Sequence, residues 1–380
     1  MGSARPTIRD VAAAAGVSAQ TVSRAINNHP DVSPETLERV QEVIRQIGYE
    51  PNMLARGLTQ GRSHQLGLVG YGLDYLGPSR IIAAVERTAA EMGYGISLTL
   101  ILEPETVDAE PVLSGLRARQ VDGIIWTIPE VGDNRAWART KGVDGRGPVI
   151  LVGGMSGRSY LPSTLIDNEA IGRLATRHLI AGGARHVGTV TGPLNWWEAK
   201  QRLAGWRQAL HSCGLDPDER LIVEGDWTVA SGEAAFYRLL ETCPEIDGVF
   251  ASNDQMALGV LYALHTLGKR VPEDVSVVGA DNIAEASHFW PPLTTVYQPL
   301  AESGVLAVKA IDRLIERSAS PRRGQDLWPE PAVLEPELII RESSRRVDVP
   351  SRLPAPTLES DRREMPGVID PSVPAERITT

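Results

Sequence analysis

The chain has 380 residues, 42% apolar, 5% aromatic and 23% charged. That composition is globular, with room for two or three packed domains, and excludes a disordered or fibrous protein. No apolar run approaches the ~18 residues of a membrane span, and residues 1–7 lack the apolar core of a secretion signal, so the expected location is the cytoplasm.

The net charge of −10 argues against general affinity for nucleic acid, yet it is unevenly spread. Residues 1–62 carry seven Arg and six acidic groups, net +1, which leaves −11 on the remainder. Any DNA binding therefore belongs to the first 62 residues, because the acidic remainder repels phosphate.

Three short helices are predicted at the start. Thr7, with Asp10 three residues on, makes a variant capping box ahead of Ile8-Arg9-Asp10-Val11-Ala12, and Gly16 stops that helix. Ser18 caps the second, with Val22 and Ile26 on one face and Ala19, Gln20, Ser23, Arg24 and Asn27 on the other. Ser33-Pro34 opens a third, whose Leu37, Val40, Ile44 and Ile47 keep helical spacing up to Gly48. A helix, a tight Gly turn and a second polar-faced helix are what a DNA major groove admits. On the second helix Gln20 suits a bidentate contact with a base edge and Arg24 suits guanine. Ser18, Thr21 and Ser23 suit phosphate oxygens. The competing reading is an ordinary solvated helix on a three-helix module.

Pro51 to Leu58 is a short amphipathic segment bounded by Gly61. Segments this short are marginal helices in water, and Gly57 weakens this one by roughly 1 kcal/mol relative to Ala.

From Gln65 onward, short apolar strands alternate with amphipathic helices, which predicts βαβ units and parallel sheets. Strands are expected at Leu66–Val69, Ile96–Leu100, Gly123–Trp126, Val149–Val152, Val187–Val190, Gly248–Phe250 and Val275–Val278. Val121-Asp122-Gly123-Ile124-Ile125 is echoed by Ile246-Asp247-Gly248-Val249-Phe250, as expected if two similar α/β lobes follow one another. Ligands of such sheets bind beyond the carboxyl ends of the strands, so the loops after them are the place to seek chemistry. Arg346–Thr380 holds six prolines and no helical pattern, and is expected to be disordered.

Cys213 and Cys243 have no thiol or His pairing that signals a disulfide or zinc site, and are read as buried spectators. No enzyme is signalled. Gly154-Met155-Ser156-Gly157 has the wrong spacing for a nucleophile elbow, and there is no P-loop or dinucleotide fingerprint. His178 and His186 are isolated and read as packing residues. No cofactor or metal is expected.

Asp10-Val11-Ala12, Ala15-Gly16-Val17-Ser18, Thr21-Val22-Ser23-Arg24, Asn27, Val32-Ser33-Pro34-Glu35-Thr36 and Tyr49-Glu50-Pro51-Asn52 resemble the head of the lactose-repressor (LacI/GalR) family of bacterial transcription regulators. The resemblance continues in family order. It takes in Gly77-Pro78-Ser79-Arg80-Ile81, Gly192-Pro193-Leu194, Arg202-Leu203-Ala204-Gly205-Trp206 and Glu224-Gly225-Asp226-Trp227. It ends with Asn253-Asp254-Gln255-Met256-Ala257-Leu258-Gly259, Ser276-Val277-Val278-Gly279 and Pro291-Pro292-Leu293-Thr294-Thr295, so it spans about residues 7–343.

The resemblance implies an all-α helix-turn-helix head (residues 1–50), a hinge helix (51–62), a body of two similar parallel-sheet lobes like a periplasmic binding protein (63–345), and a tail (346–380). It implies base reading by Ala19, Gln20 and Arg24, and phosphate contacts by Ser18, Thr21, Ser23, Asn27, Ser33 and Thr36. Leu58 falls on the leucine that wedges into the minor groove at the operator centre. Ala19 departs from the namesake repressor, which has Tyr there, so a different operator is expected.

In the body, Arg202, Asn253 and Asp281 match the family's effector-binding residues, and their chemistry suits a polyol. Trp227 matches a pocket tryptophan able to face the C–H side of a pyranose. Asn195-Trp196-Trp197 replaces small residues, so Trp196 is expected to add an aromatic wall unless one of the pair packs inside the lobe. Tyr71 and Tyr75, after the first body strand, are further candidates. Asn282 replaces the second of two paired acids, which leaves the sugar's identity open.

The resemblance thus implies a homodimeric repressor of carbohydrate-utilisation genes, released from a palindromic operator by a sugar. A corepressor-type response on the same architecture is the alternative. A periplasmic sugar-binding protein would share the body but have no use for the head. The namesake's C-terminal leucine-heptad helix, which joins dimers, has no counterpart here: Leu353, Leu358, Met365, Val368, Ile369, Val373 and Ile378 are irregularly spaced among prolines. A dimer is expected, not a tetramer.

Overall fold

The computed structural model describes residues 6–26, 29–49, 62–140, 147–319 and 331–347. Asn27, the hinge segment with Leu58, and the tail from residue 348 lie outside the described residues.

The head is three helices, α1 (Ile8–Ala15), α2 (Ala19–Ile26) and α3 (Pro34–Ile47). Thr7 donates from its backbone N–H (2.7 Å) and hydroxyl (2.8 Å) to the Asp10 carboxylate, and these bonds hold that carboxyl below its ordinary pKa. Gly16 and Gly48 take φ of +66° to end α1 and α3, a conformation that costs a residue without Cβ little. Ser18 Oγ accepts from Thr21 N–H at 3.0 Å, and Ser33 Oγ from Thr36 N–H at 3.3 Å. Val11, Ala12, Ala15, Val22, Ala25 and Val40 are buried as one small core, with Leu37, Ile44 and Ile47 packed against it.

Among the described residues the body contains two six-stranded sheets. The first has the order β11-β5-β4-β3-β1-β2, from β1 (Gln65–Tyr71), β2 (Gly95–Ile101), β3 (Gly123–Trp126), β4 (Val149–Val152), β5 (Ser163–Ile166) and β11 (Ala332–Leu334). The second has the order β12-β10-β9-β8-β6-β7, from β6 (Val187–Thr191), β7 (Ile222–Glu224), β8 (Gly248–Ala251), β9 (Ser276–Asp281), β10 (Thr294–Tyr297) and β12 (Glu337–Ile339). All pairs are parallel except β10 with β12. The intervening helices are α4 (Leu76–Glu91), α5 (Ala109–Ala118), α6 (Asn168–Ala181), α7 (Trp197–Ser212), α8 (Val229–Thr242), α9 (Asp254–Thr266) and α10 (Leu300–Ala319).

All seven strands expected from the sequence are present, and five more, β5, β7, β10, β11 and β12, were not expected. These have three or four residues each, and Thr164, Thr294 and Thr295 within them are polar yet buried. Their apolar pattern is too short and too mixed to stand out.

The lobes do not simply follow one another. The chain crosses after β5 and again after β10, where α10 returns to pack Ala307, Val308, Ile311, Leu314 and Ile315 into the first lobe's core. It crosses a third time between β11 and β12. Three short crossovers form the only seam of chain between the lobes among the described residues.

The internal echo has a shared job. The Asp122 carboxylate accepts from the N–H groups of Ser63 and His64, both at 2.8 Å, at the start of β1. The Asp247 carboxylate accepts from Arg185 and His186 N–H, at 2.9 and 2.8 Å, just before β6. Each Asp therefore fixes the leading edge of its lobe's first strand.

Cys213 is exposed and Cys243 half-buried, so neither is the buried spectator expected; they are the residues that cap the C-terminal ends of the helices Trp197–Ser212 and Val229–Thr242. His178 is a packing residue, fully buried, with Nε2 2.7 Å from Ser344 Oγ. Burial lowers its pKa to about 4. Since the unfolded chain takes up that proton near pH 6.5 and the native state does not, stability falls as pH drops from 6.5 toward 4, by up to about 3 kcal/mol from this group. Urea unfolding at pH 7 and pH 4.5 should show the loss, and His178→Gln should reduce that pH slope.

Candidate functional site

A cavity of about 430 Å³ lies between the lobes, at the carboxyl ends of both sheets. The first lobe contributes Asp74, Tyr75, Thr127 and Gly153, and the second Trp196, Glu198, Arg202, Trp227, Asn253 and Asp281. Asn168 and Gln298, from the crossovers after β5 and β10, close its floor.

Arg202 is placed by close helix packing. A Cβ on Gly172 of α6 would lie 1.9 Å from the Arg202 carbonyl oxygen, and one on Gly205 of α7 would lie 1.9 Å from the Glu169 carbonyl oxygen. The two helices cross at glycine on glycine, which brings Arg202 to Asn168 Oδ1 (Nε, 2.9 Å) and Gln298 Oε1 (Nη2, 3.0 Å). Nη1 donates to the Ser252 carbonyl. Gln298 donates in turn to Asp281 Oδ1. Three of the five guanidinium hydrogens are used and two remain for a ligand.

Asn253 caps α9, accepting from Met256 N–H at 2.8 Å and donating to the Trp227 carbonyl at 2.9 Å, with one amide hydrogen left over. Trp227 has φ +73° and Asp281 φ +123°, left-handed values for side-chain-bearing residues at the site. The Trp227 ring lies against Gly192, where a Cβ would be 2.1 Å from it, and beneath the Arg202 guanidinium at 5.5 Å.

Asp281 is buried, and burial raises its pKa while Arg202 and Arg80 pull it down. Asp254 behind it accepts from Thr295 Oγ1 (2.5 Å) and Ile283 N–H (2.9 Å); burial and the neighbouring Asp281 charge raise its pKa above the carboxylate range. Two buried carboxyls side by side disfavour a doubly ionised state, and Asp281, facing the guanidinium, is the one that keeps the charge.

Trp196 and Trp227 stand with centroids 5.9 Å apart, and Tyr75 is 6.3 Å from Trp196. Six of the seven expected pocket residues therefore meet in one cavity. Tyr71 does not line it; it packs behind, 5.9 Å from Tyr75 and 5.8 Å from Trp196. Burial raises its phenol to about 12. Asn168, Glu198, Gln255 and Gln298 were missed. Asn168 and Gln298 follow the two short strands β5 and β10 that the sequence pattern concealed, whereas Glu198 and Gln255 lie in first helical turns beside residues already singled out.

On the head, Ser18, Gln20, Arg24 and Ser33 are exposed, and Ala19, Thr21, Ser23 and Thr36 are half-buried. Ser18 and Thr21 hydroxyls pair at 2.8 Å, so both serve the helix start as well as facing outward. Among the described residues no group of His, Cys, Asp and Glu is arranged to hold a metal, and no helix is long and apolar enough to cross a membrane.

A helix-turn-helix head joined to a two-lobed body with a polar cleft defines a DNA-binding transcriptional regulator with a ligand-binding module. The chain belongs to the lacI family of bacterial regulatory proteins, which it matches over residues 7–52, and residues 176–344 match the periplasmic binding protein-like domain. It is 35% identical to the HTH-type transcriptional regulator CelR of Thermobifida fusca over 89% of this chain and 98% of that protein. It is 32% identical to the lactose operon repressor of Escherichia coli (strain K12), over 85% of this chain and 88% of that one. Among solved structures it resembles a CelR–cellobiose complex (33% identity, TM-score 0.64, 89% of this chain and all of that one). It also resembles a lac repressor dimer bound to operator and an anti-inducer (31% identity, TM-score 0.76, 90% and 99%).

Proposed function

We propose that this chain is a cytoplasmic, homodimeric repressor of carbohydrate-utilisation genes, released from a palindromic operator by a neutral disaccharide of the cellobiose kind. The carrying observation is the cavity itself. Arg202, Asn253 and Asp281 meet there around unused donors and acceptors, beside a run of aromatic faces from Trp227 through Trp196 to Tyr75 longer than one pyranose ring. Three carboxylates line it, Asp74, Glu198 and Asp281, against the single guanidinium of Arg202. That balance disfavours phosphorylated sugars and favours hydroxyls. CelR, the relative solved with cellobiose, supports the same class of ligand.

Ala19, Gln20 and Arg24 read bases; Ser18, Thr21, Ser23, Asn27, Ser33 and Thr36 position the head, and Leu58 enters the minor groove. Sugar in the cleft favours one lobe arrangement, and it releases DNA only to the extent that it binds that arrangement more tightly. Pairing of two chains has an evident surface. Edge strand β2 leaves Leu98 41% and Leu100 43% exposed, with Leu102 beyond it at 89%. Leu100→Lys should give a monomer by light scattering and weaken operator binding on the order of 10²-fold, because two linked heads bind far better than one.

The test is a mobility shift on palindromic sites that the chain selects from random DNA, with cellobiose, glucose or glucose 6-phosphate added. Release is expected with cellobiose alone; no release with any of them, or turnover of cellobiose, rejects the reading. Gln20→Ala and Arg24→Ala should each cost about 1–3 kcal/mol on the selected site and relax base choice. Full affinity and selectivity in both would show that α2 is not the reading helix.

A further inference from the structure

Glu198 lines the cavity and also sits where the lobes meet. Around it, the loop after β6 is stitched to the loop after β3. Trp197 N–H donates to the Glu130 carbonyl at 2.9 Å, Gly132 N–H donates to the Asn195 carbonyl at 2.9 Å, and Val131 and Trp196 form an antiparallel bridge. The Trp197 ring lies against Gly154, where a Cβ would be 2.1 Å from it. One residue further on, Glu198 lines the cavity with an Oε2 that is sealed from water and has no hydrogen-bond partner.

On the first lobe, Arg135 is fully buried. All five of its guanidinium hydrogens go to backbone carbonyls, those of Ile128, Val152, Gly153 and Gly154. These bonds tie together the ends of β3 and β4 but leave the positive charge without a carboxylate in contact. Glu130, the nearby acid of the same lobe, is taken by Ser156 N–H and Arg139. The larger opposing charge comes from the second lobe, with Glu130 adding less: Glu198 Oε1 and Arg135 Nη2 flank Gly153, 3.4 and 3.5 Å from where its Cβ would be. Burial raises the Glu198 pKa and Arg135 draws it back down, the largest of the charges to do so.

We propose that Glu198 joins effector recognition to lobe closure, Oε1 facing the Arg135 charge across the seam and Oε2 accepting a hydroxyl of the bound sugar. This rests on the saccharide reading of the cavity and adds a residue to it. Opening the lobes takes away the larger of the two carboxylate charges acting on a buried guanidinium, and a hydroxyl on Oε2 completes a carboxylate that faces that guanidinium only when the lobes are closed. A phosphate or carboxylate on the ligand would meet Glu198 as a like charge, so the same residue selects neutral ligands.

The test uses the full chain with Cys213 and Cys243 replaced by Ser, and two readouts. First, without sugar, nitroxide labels on Ser114→Cys and Glu241→Cys report the distance between lobes. Glu198→Gln, which keeps the size and removes the charge, should shift the distribution toward the open form, and Glu198→Asp should restore part of it. Second, quenching of the pocket tryptophans by cellobiose should need at least about tenfold more sugar in Glu198→Gln. An unchanged distance distribution overturns the proposal, as does an unchanged cellobiose titration. A parent chain blind to cellobiose overturns the cellobiose reading of the cavity instead, and the spin labels then decide Glu198 alone.

Discussion

Asp281→Asn is expected to leave operator affinity unchanged and to weaken the response to cellobiose by about 1.5–3 kcal/mol, the range for a hydrogen bond made to a charged group. The substitution keeps the shape but removes the acceptor charge that faces the Arg202 guanidinium through Gln298. It also exchanges an oxygen able to accept for an amide that donates, so the sugar's hydroxyl meets another donor. The head is built on its own small core, so nothing in it feels the change. A tryptophan-quenching titration and a mobility shift on the same preparation separate the two effects. Wild-type sensitivity to cellobiose in the variant would remove Asp281 from the binding site.

The second large effect is on packing. Gly172→Ala should destabilise the second lobe by about 3 kcal/mol or more and abolish sugar binding with it. A methyl 1.9 Å from the Arg202 carbonyl oxygen has no flexible side chain to push aside, only backbone, and close-packed interiors do not yield by that much. α6 and α7 must separate, and the guanidinium moves away from Asn168 as they do. Gly115→Ala is the control: in α5 a Cβ there meets nothing within 4 Å, so that change should be neutral or stabilising by up to about 1 kcal/mol. Urea unfolding curves of the two variants test the contrast, and equal midpoints would refute it.

The pocket shows why some of its members could be read early and others could not. Arg202, Asn253 and Asp281 stand in long recognisable segments, and Trp196 and Tyr75 in loops after strands with strong apolar runs. Asn168 and Gln298 follow β5 and β10, four residues each, whose buried threonines break the apolar pattern. A strand that cannot be seen hides the loop behind it. Tyr71 fails for a different reason: it is the last residue of β1, and its ring backs Tyr75 and Trp196 instead of lining the cavity.

What the sequence determined by itself is local. Caps at Thr7, Ser18 and Ser33, glycine stops at Gly16 and Gly48, and the alternation of short apolar runs with amphipathic helices each depend on neighbours a few residues apart. Those interactions are written in contiguous residues, so the head, the α/β character of the body and the repeated Asp122 and Asp247 were legible. The tertiary structure alone decided the return of α10 to the first lobe, the glycine-on-glycine crossing that sets Arg202, and the approach of Glu198 and Arg135 to Gly153 from opposite lobes. Each of these pairs groups dozens of residues or more apart, and such contacts are chosen by the burial of whole faces and the desolvation of charge, not by any pattern along the chain.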